Sequence, residues 1–117
     1  MTSREIFDKV KKALLEQNEQ SVEIGDYSTN CRYRSQNGLK CAIGHLIPDE
    51  LYNSSYENYI VAMLPENVLE YILPTNLSRN IGIVFLDKLQ LIHDCNDVRN
   101  WQKKFDEFES THVEFFV

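Results

Sequence analysis

The sequence predicts an α+β fold that is mainly helical: a single globular domain over residues 1–117, with four to six helices packed against one β-hairpin. Three observations carry that prediction. Apolar residues recur at helical spacing in several stretches, among them Ile6, Phe7, Val10 and Leu14, then Phe85, Leu89 and Ile92, then Trp101, Phe105 and Phe108. Between Cys31 and Tyr52 that period gives way to Asn37-Gly38, a pair that accepts the positive φ of a tight loop. A chain of 117 residues, 43% of them hydrophobic, can build one core but not two.

Thr2-Ser3-Arg4-Glu5 is a capping-box pattern, and it predicts a first helix over about residues 3–18. Residues 19–30 are polar, with Gly25 and Ser28-Thr29-Asn30, and read as a connection in which Val22 and Ile24 make a short extended piece. Across Asn37-Gly38 two hairpin registers compete, because slipping by one residue sends every side chain of one strand to the other face. A two-residue loop sets Arg34 opposite Cys41 and mixes guanidinium with apolar groups. A three-residue loop, Gln36-Asn37-Gly38, pairs Arg34 with Lys40, Tyr33 with Cys41 and Cys31 with Ile43. The second register separates the faces, turning Cys31, Tyr33, Cys41 and Ile43 inward and gathering Arg32, Arg34 and Lys40 outside.

After the hairpin, Gly44 and Pro48 confine any helix between them to a turn or two, and Pro48-Asp49-Glu50 opens another short one that ends at Asn53-Ser54-Ser55. Tyr56, Tyr59, Ile60 and Met63 predict a short helix, and Val68, Leu69, Ile72 and Leu73 predict one between Pro65 and Pro74. The tyrosines 52, 56, 59 and 71 are expected half-buried in the core. Thr75 or Asn76 should cap the longest helix, with Ile81, Val84, Phe85, Leu89 and Ile92 as its buried stripe out to His93. Asn96 or Asp97 opens the last helix. Val113, Phe115, Phe116 and Val117 are apolar for a tail and should pack, as an edge strand or in an interface.

The run Cys31-Arg32-Tyr33-Arg34, Gly38-Leu39-Lys40-Cys41-Ala42-Ile43-Gly44, Leu46-Ile47-Pro48-Asp49-Glu50 and Tyr52 resembles a family of small uncharacterised proteins of tailed phages and bacteria. Leu89-Gln90-Leu91-Ile92-His93-Asp94 followed by Trp101 resembles the family's C-terminal part. The resemblance covers about half of the chain and implies an intracellular, phage-associated setting. It carries no activity with it.

Net charge is −6, which argues against affinity for duplex nucleic acid. No stretch approaches the apolar length of a membrane span and the amino terminus is polar and charged, so a cytoplasmic protein is expected, in the host cell if phage-encoded. Three cysteines without a secretory signal read as reduced thiols. Phosphate loop, dinucleotide fingerprint and nucleophile elbow are absent, so no cofactor and no catalytic residue is assigned. Cys31, Cys41 and His45, with His93 or Cys95, are the raw material of a zinc site, but their spacing lacks the close pairs of zinc modules, and no metal site is assigned. Cys41 with His93 and Asp94 could make a thiol nucleophile and its base, without any signature around the cysteine.

The sequence-based reading is a non-catalytic binding protein with a ligand site at Arg32, Arg34, Lys40, Gly44, His45 and Tyr52, arginine forks suiting phosphate or carboxylate. Its partner is expected to be an anionic host molecule, a nucleotide signal or a defence protein, and a homo-oligomer is allowed. The alternatives are an acidic nucleic-acid mimic built on Glu57, Glu66 and Glu70, a zinc-stabilised module and a thiol hydrolase.

Overall fold

Local signals set most of the helix ends. In the computed structural model, which describes residues 1–24 and 29–117, the Thr2 hydroxyl accepts from the Glu5 N–H and the Glu5 carboxylate accepts from the Thr2 N–H. That capping box opens helix α1, Ser3–Gln17, which buries Ile6, Phe7, Val10 and Leu14 and closes on Asn18 in the left-handed conformation, φ 53°. Val22–Ile24 (β1) pairs antiparallel with Thr29–Cys31 (β2), Val22 opposite Cys31. Gly25 and Ser28 of the expected connection lie outside the described residues.

The expected hairpin across Gly38 is not formed. Gly38 does take a positive φ of 85°, and Arg34 and Lys40 make one isolated bridge, but no strand extends from it. Cys31 pairs with Val22 rather than Ile43. Two features stop the ladder. The N–H groups of Tyr33 and Arg34 both turn to a single carboxylate, that of Glu57, which a regular strand with alternating N–H directions cannot do. Beyond Cys41 the chain coils at once, with the His45 N–H donating to the Cys41 carbonyl and the Ile47 N–H to that of Ile43.

Three 3₁₀ turns follow, Asp49–Leu51, Ser54–Tyr56 and Val61–Met63. The first is the short helix expected to open at Pro48, and the other two replace the one expected over Tyr56–Met63, because Asn58 is left-handed at φ 71° and resets the chain direction. Tyr59, Ile60, Met63 and Tyr71 are exposed instead of joining the core. Helix α2, Glu66–Ile72, lies between Pro65 and Pro74 as its prolines dictate. Helix α3, Arg79–Asp94, is capped by Ser78, whereas Asn76 accepts from the Ser3 N–H and so caps the start of α1 from a distance. Its buried stripe is Gly82, Phe85, Leu86, Leu89, Ile92 and His93, rotated from the expected one, so that Ile81 and Val84 are exposed. A 3₁₀ turn begun by Asp97 leads into α4, Trp101–Thr111, with Trp101, Phe105 and Phe108 buried.

The core is thus a helical globule in which α1, α3 and α4 pack on one another and the Val61–Met63 turn packs on α3. Aromatic rings pack on one another within it: Phe7 lies 5.6 Å from Phe108 and 5.8 Å from Phe105, and Phe85 lies 5.3 Å from Phe115. The apolar tail forms a 3₁₀ turn, Val113–Phe116, that inserts Phe115 here, its carbonyl held by the Ser3 hydroxyl. Among the described residues no helix is long and apolar enough to cross a membrane.

Gly44 and Gly38 separate two reasons for glycine. A Cβ at Gly44 would stand 2.0 Å from the Tyr33 carbonyl oxygen, a backbone atom that cannot yield, whereas one at Gly38 meets nothing within 4 Å but suffers the left-handed φ. Gly38→Ala should therefore cost about 1–2 kcal/mol of stability in urea unfolding, and Gly44→Ala about 3 kcal/mol or more. Equal midpoints for the two variants would contradict this.

Candidate functional site

Glu57 follows the Ser54–Tyr56 turn, and the left-handed Asn58 behind it points its side chain into the protein, where it is only 5% exposed. Oε1 accepts from the Tyr33 N–H at 2.9 Å, and Oε2 accepts from the Arg34 N–H at 3.2 Å and the Tyr52 hydroxyl at 2.6 Å. The Arg32 guanidinium lies 3.6 Å from Oε1. This carboxylate holds residues 32–34 against residues 52–59, and the Tyr33 hydroxyl adds a bond to the Tyr59 carbonyl. Burial, then the bond to Glu57, pushes the Tyr52 hydroxyl up to about 12.

The six residues singled out from the sequence do not gather into an open cationic patch. Arg32 pairs with Glu23 at 2.7 Å as well as with Glu57. Arg34 pairs with Asp49 at 2.8 Å, donates to the Ile47 carbonyl at 2.8 Å and stacks 4.5 Å above the Tyr52 ring. The Nε atoms of both arginines are buried without a hydrogen-bond partner. Lys40 makes no ion pair among the described residues, and its backbone is clamped by the Gln17 amide. Gln17 Nε2 donates to the carbonyls of Glu19 and Lys40, so its Oε1 is the acceptor for His45, whose Nε2–H donates at 3.0 Å. Gly44 lies under the Tyr33 carbonyl. Arg34 with Tyr52 and Lys40 with His45 are two small groups, each tied to the fold. The inward set holds in part: Tyr33, Cys41 and Ile43 are buried and Cys31 is half-buried.

Cys31, His93 and Asp94 do meet, with ligand atoms within 4.8 Å of one another, the one such group among the described residues; Cys41, His45 and Cys95 are not in it. Its hydrogen bonds settle what it can do. The Ser21 backbone N–H, a donor without alternative, points at His93 Nε2 at 2.9 Å, so that nitrogen carries a lone pair and Nδ1 carries the proton. Nδ1–H then donates to Asp94 Oδ1 at 2.7 Å, and Gln90 Nε2 donates to the same oxygen at 3.0 Å. Gln90 Oε1 in turn accepts from the Ile43 N–H, so the network ties the 31–43 stretch to the end of α3. Neither nitrogen of His93 is free to ligate a metal or to take a proton from a thiol. Burial first, then the Asp94 carboxylate beside it, pushes the Cys31 thiol up to about 12. Cys41 is fully buried and is likewise pushed up to about 12, its sulfur accepting from the Gly44 N–H at 3.4 Å. Both thiols are protonated near neutral pH and poor nucleophiles.

What the network leaves open is a cleft of about 380 Å³ between residues 31–33, residues 59–61 and helix α3. Asp87, Gln90, Leu91 and Asp94 form its α3 wall, and Tyr59 and Ile60 the facing one. Ile60 and Leu91 are 61% and 52% exposed at its mouth. Sequence reasoning missed Asp87 and Leu91 as site residues and set Glu57 on an exposed acidic surface, whereas it is buried. Only the spacing of Asp87, Leu91 and Asp94 on one helical face could have pointed to them, and nothing local paired that face with Tyr59. Comparison with family models, with curated proteins and with solved structures finds no match for the chain.

Two measurements check this geometry. Glu57→Ala leaves two buried N–H groups, a hydroxyl and a guanidinium without their acceptor and should cost about 3 kcal/mol or more in urea unfolding, while Glu57→Gln, which keeps one acceptor oxygen, should cost roughly half of that. Burial, then the charge of Lys40, lowers His45 from 6.5 to about 4. Between those values the unfolded chain takes up a proton that the folded chain refuses, so His45 adds stability above pH 6.5 that is lost progressively as pH falls toward 4. His45→Gln should accordingly show a smaller fall in urea midpoint between about pH 7 and 5 than the unsubstituted protein; an identical fall would exclude His45 as the titrating group.

Proposed function

We propose that this protein is a small non-catalytic binding protein whose ligand occupies the cleft between Tyr59, Ile60 and helix α3. One observation carries the reading: three chain segments far apart in sequence converge on a concave site of about 380 Å³, the size of small-molecule sites in general, with exposed apolar side chains at its mouth. The nearby cysteine, histidine and aspartate support recognition rather than turnover, because the thiol is held protonated and both imidazole nitrogens are engaged in hydrogen bonds. The resemblance of the 31–52 run to phage and bacterial proteins supports a setting inside an infected host, where the protein sequesters what it binds.

A second reading keeps the anionic host partner at Arg34, Lys40 and Tyr52. It is favoured by the weakness of the Arg34–Asp49 pair, since the Asp49 side chain is 84% exposed and a phosphate could displace it. Arg32 suits this reading less well, because it serves the buried Glu57. Amide chemical-shift mapping with a library of small apolar fragments, and separately with pyrophosphate, distinguishes the two. The first reading expects fragments to perturb Cys31, Tyr59, Ile60 and Leu91 and to be displaced by Leu91→Glu. Perturbation by pyrophosphate alone, centred on Arg34 and lost in Arg34→Ala, would replace it with the second.

A further inference from the structure

The chemistry of the cleft wall narrows what can enter it. Consider first the hydrogen-bond donors that line the cleft. Arg32 Nη1 pairs with Glu23, and its buried Nε lies 3.6 Å from Glu57, so this guanidinium is already flanked by two carboxylates. The Tyr33 hydroxyl donates to the Tyr59 carbonyl and the Gln90 amide to Asp94. The Cys31 thiol faces Asp94. Each of these groups already faces an acceptor of the protein.

One acceptor is in the opposite state. Asp87 has no hydrogen-bond or ion-pair partner among the described residues, although it lines the cleft and is half-buried. Desolvation without a compensating cation raises its carboxyl above the usual range. Asp94 is already met by the His93 and Gln90 donors at Oδ1 and by the Cys31 thiol, so Asp87 is the carboxylate without a partner on this wall. The two carboxylates are seven residues apart on α3, two turns, or about 10 Å along the helix, and Leu91 lies between them. Across the cleft stand the Tyr59 ring, whose face attracts a cation, and Ile60. An anion entering here would meet the uncompensated Asp87 carboxylate.

We infer that the cleft takes a small organic cation, an ammonium group seated against Asp87 on an apolar body that covers Leu91 and Ile60. The inference rests on the cleft being the binding site and adds the sign of the ligand's charge. The volume sets the scale, since about 380 Å³ holds a molecule of one ring and a short chain rather than a peptide segment.

Three probes of one shape test it by amide shift mapping: 2-phenylethylammonium, neutral 2-phenylethanol and anionic 3-phenylpropionate. The ammonium should perturb Tyr59, Ile60 and Leu91 and bind roughly tenfold more tightly than the alcohol, with the carboxylate weakest, and Asp87→Asn should remove that margin. Asp87 has no partner among the described residues, so the variant should retain its stability. If alcohol or carboxylate binds at these residues as tightly as the ammonium, the charge assignment is wrong while the cleft reading stands. If the ammonium is preferred but Asp87→Asn leaves the margin intact, the assignment to Asp87 is overturned. If no probe perturbs these residues, both readings fall.

Discussion

The arrangement depends on one buried carboxylate. A charged Glu57 is tolerated inside the protein only because each of its oxygens is matched, Oε1 by the Tyr33 N–H and the nearby Arg32 and Oε2 by the Arg34 N–H and the Tyr52 hydroxyl. The consequence is topological as well as energetic. Successive N–H groups of an extended strand point to opposite sides, so a chain that gives two in a row to one acceptor must bend there. Strand β2 accordingly ends at Cys31, the hairpin reduces to one bridge, and the Tyr33 carbonyl faces Gly44, where only a residue without a side chain fits.

The same carboxylate explains why a cationic surface does not emerge from a segment that carries three cations. In a chain of net charge −6, Arg32 is the counter-charge of Glu23 and Glu57, and Arg34 bridges Asp49 and the Ile47 carbonyl while covering Tyr52. Both guanidinium groups act as fasteners, Arg32 between strand β1 and the Glu57 segment and Arg34 between the Asp49 turn and the Tyr52 ring. Positive charge taken up in this way leaves Asp87 of α3, on the wall of the cleft, without a counter-charge among the described residues.

Much of the helical framework was legible because its signals are local. Thr2 and Glu5 mark the start of α1, Pro65 and Pro74 bracket α2, and the period of Trp101, Phe105 and Phe108 is that of α4. The turn at Gly38 was legible for the same reason, since its positive φ is a property of three or four residues. How far pairing would run beyond that turn was not, because Glu57, 24 residues from Tyr33, decides it. Tyr56, Tyr59, Ile60 and Met63 keep helical spacing on paper, but Asn58 breaks the helix that the spacing suggests, and no pattern of apolar residues marks a left-handed asparagine. The cap of α3 was misplaced by two residues because Asn76 is a competent cap that serves α1 instead. The cleft was the least legible feature: its walls come from residues 31–33, 59–61 and 87–94, and only the tertiary fold sets them face to face.

The cluster of Cys31, His93 and Asp94 shows why proximity does not suffice to assign chemistry. These are residue types that elsewhere hold zinc or activate a thiol, and they stand within reach of one another. A ligand or base needs a free lone pair, however, and the Ser21 N–H occupies that of His93 Nε2 while the proton it forces onto Nδ1 is held by Asp94. Freeing either nitrogen would leave a buried backbone N–H unsatisfied or a carboxylate without its donor, each a cost of about 1–3 kcal/mol. Imidazole and carboxylate serve instead to fasten the Ser21 backbone and Gln90 to the end of α3, and through Gln90 the Ile43 backbone as well. The network thus fastens the end of α3 to the 21–43 stretch and holds the Cys31 thiol protonated beside a carboxylate.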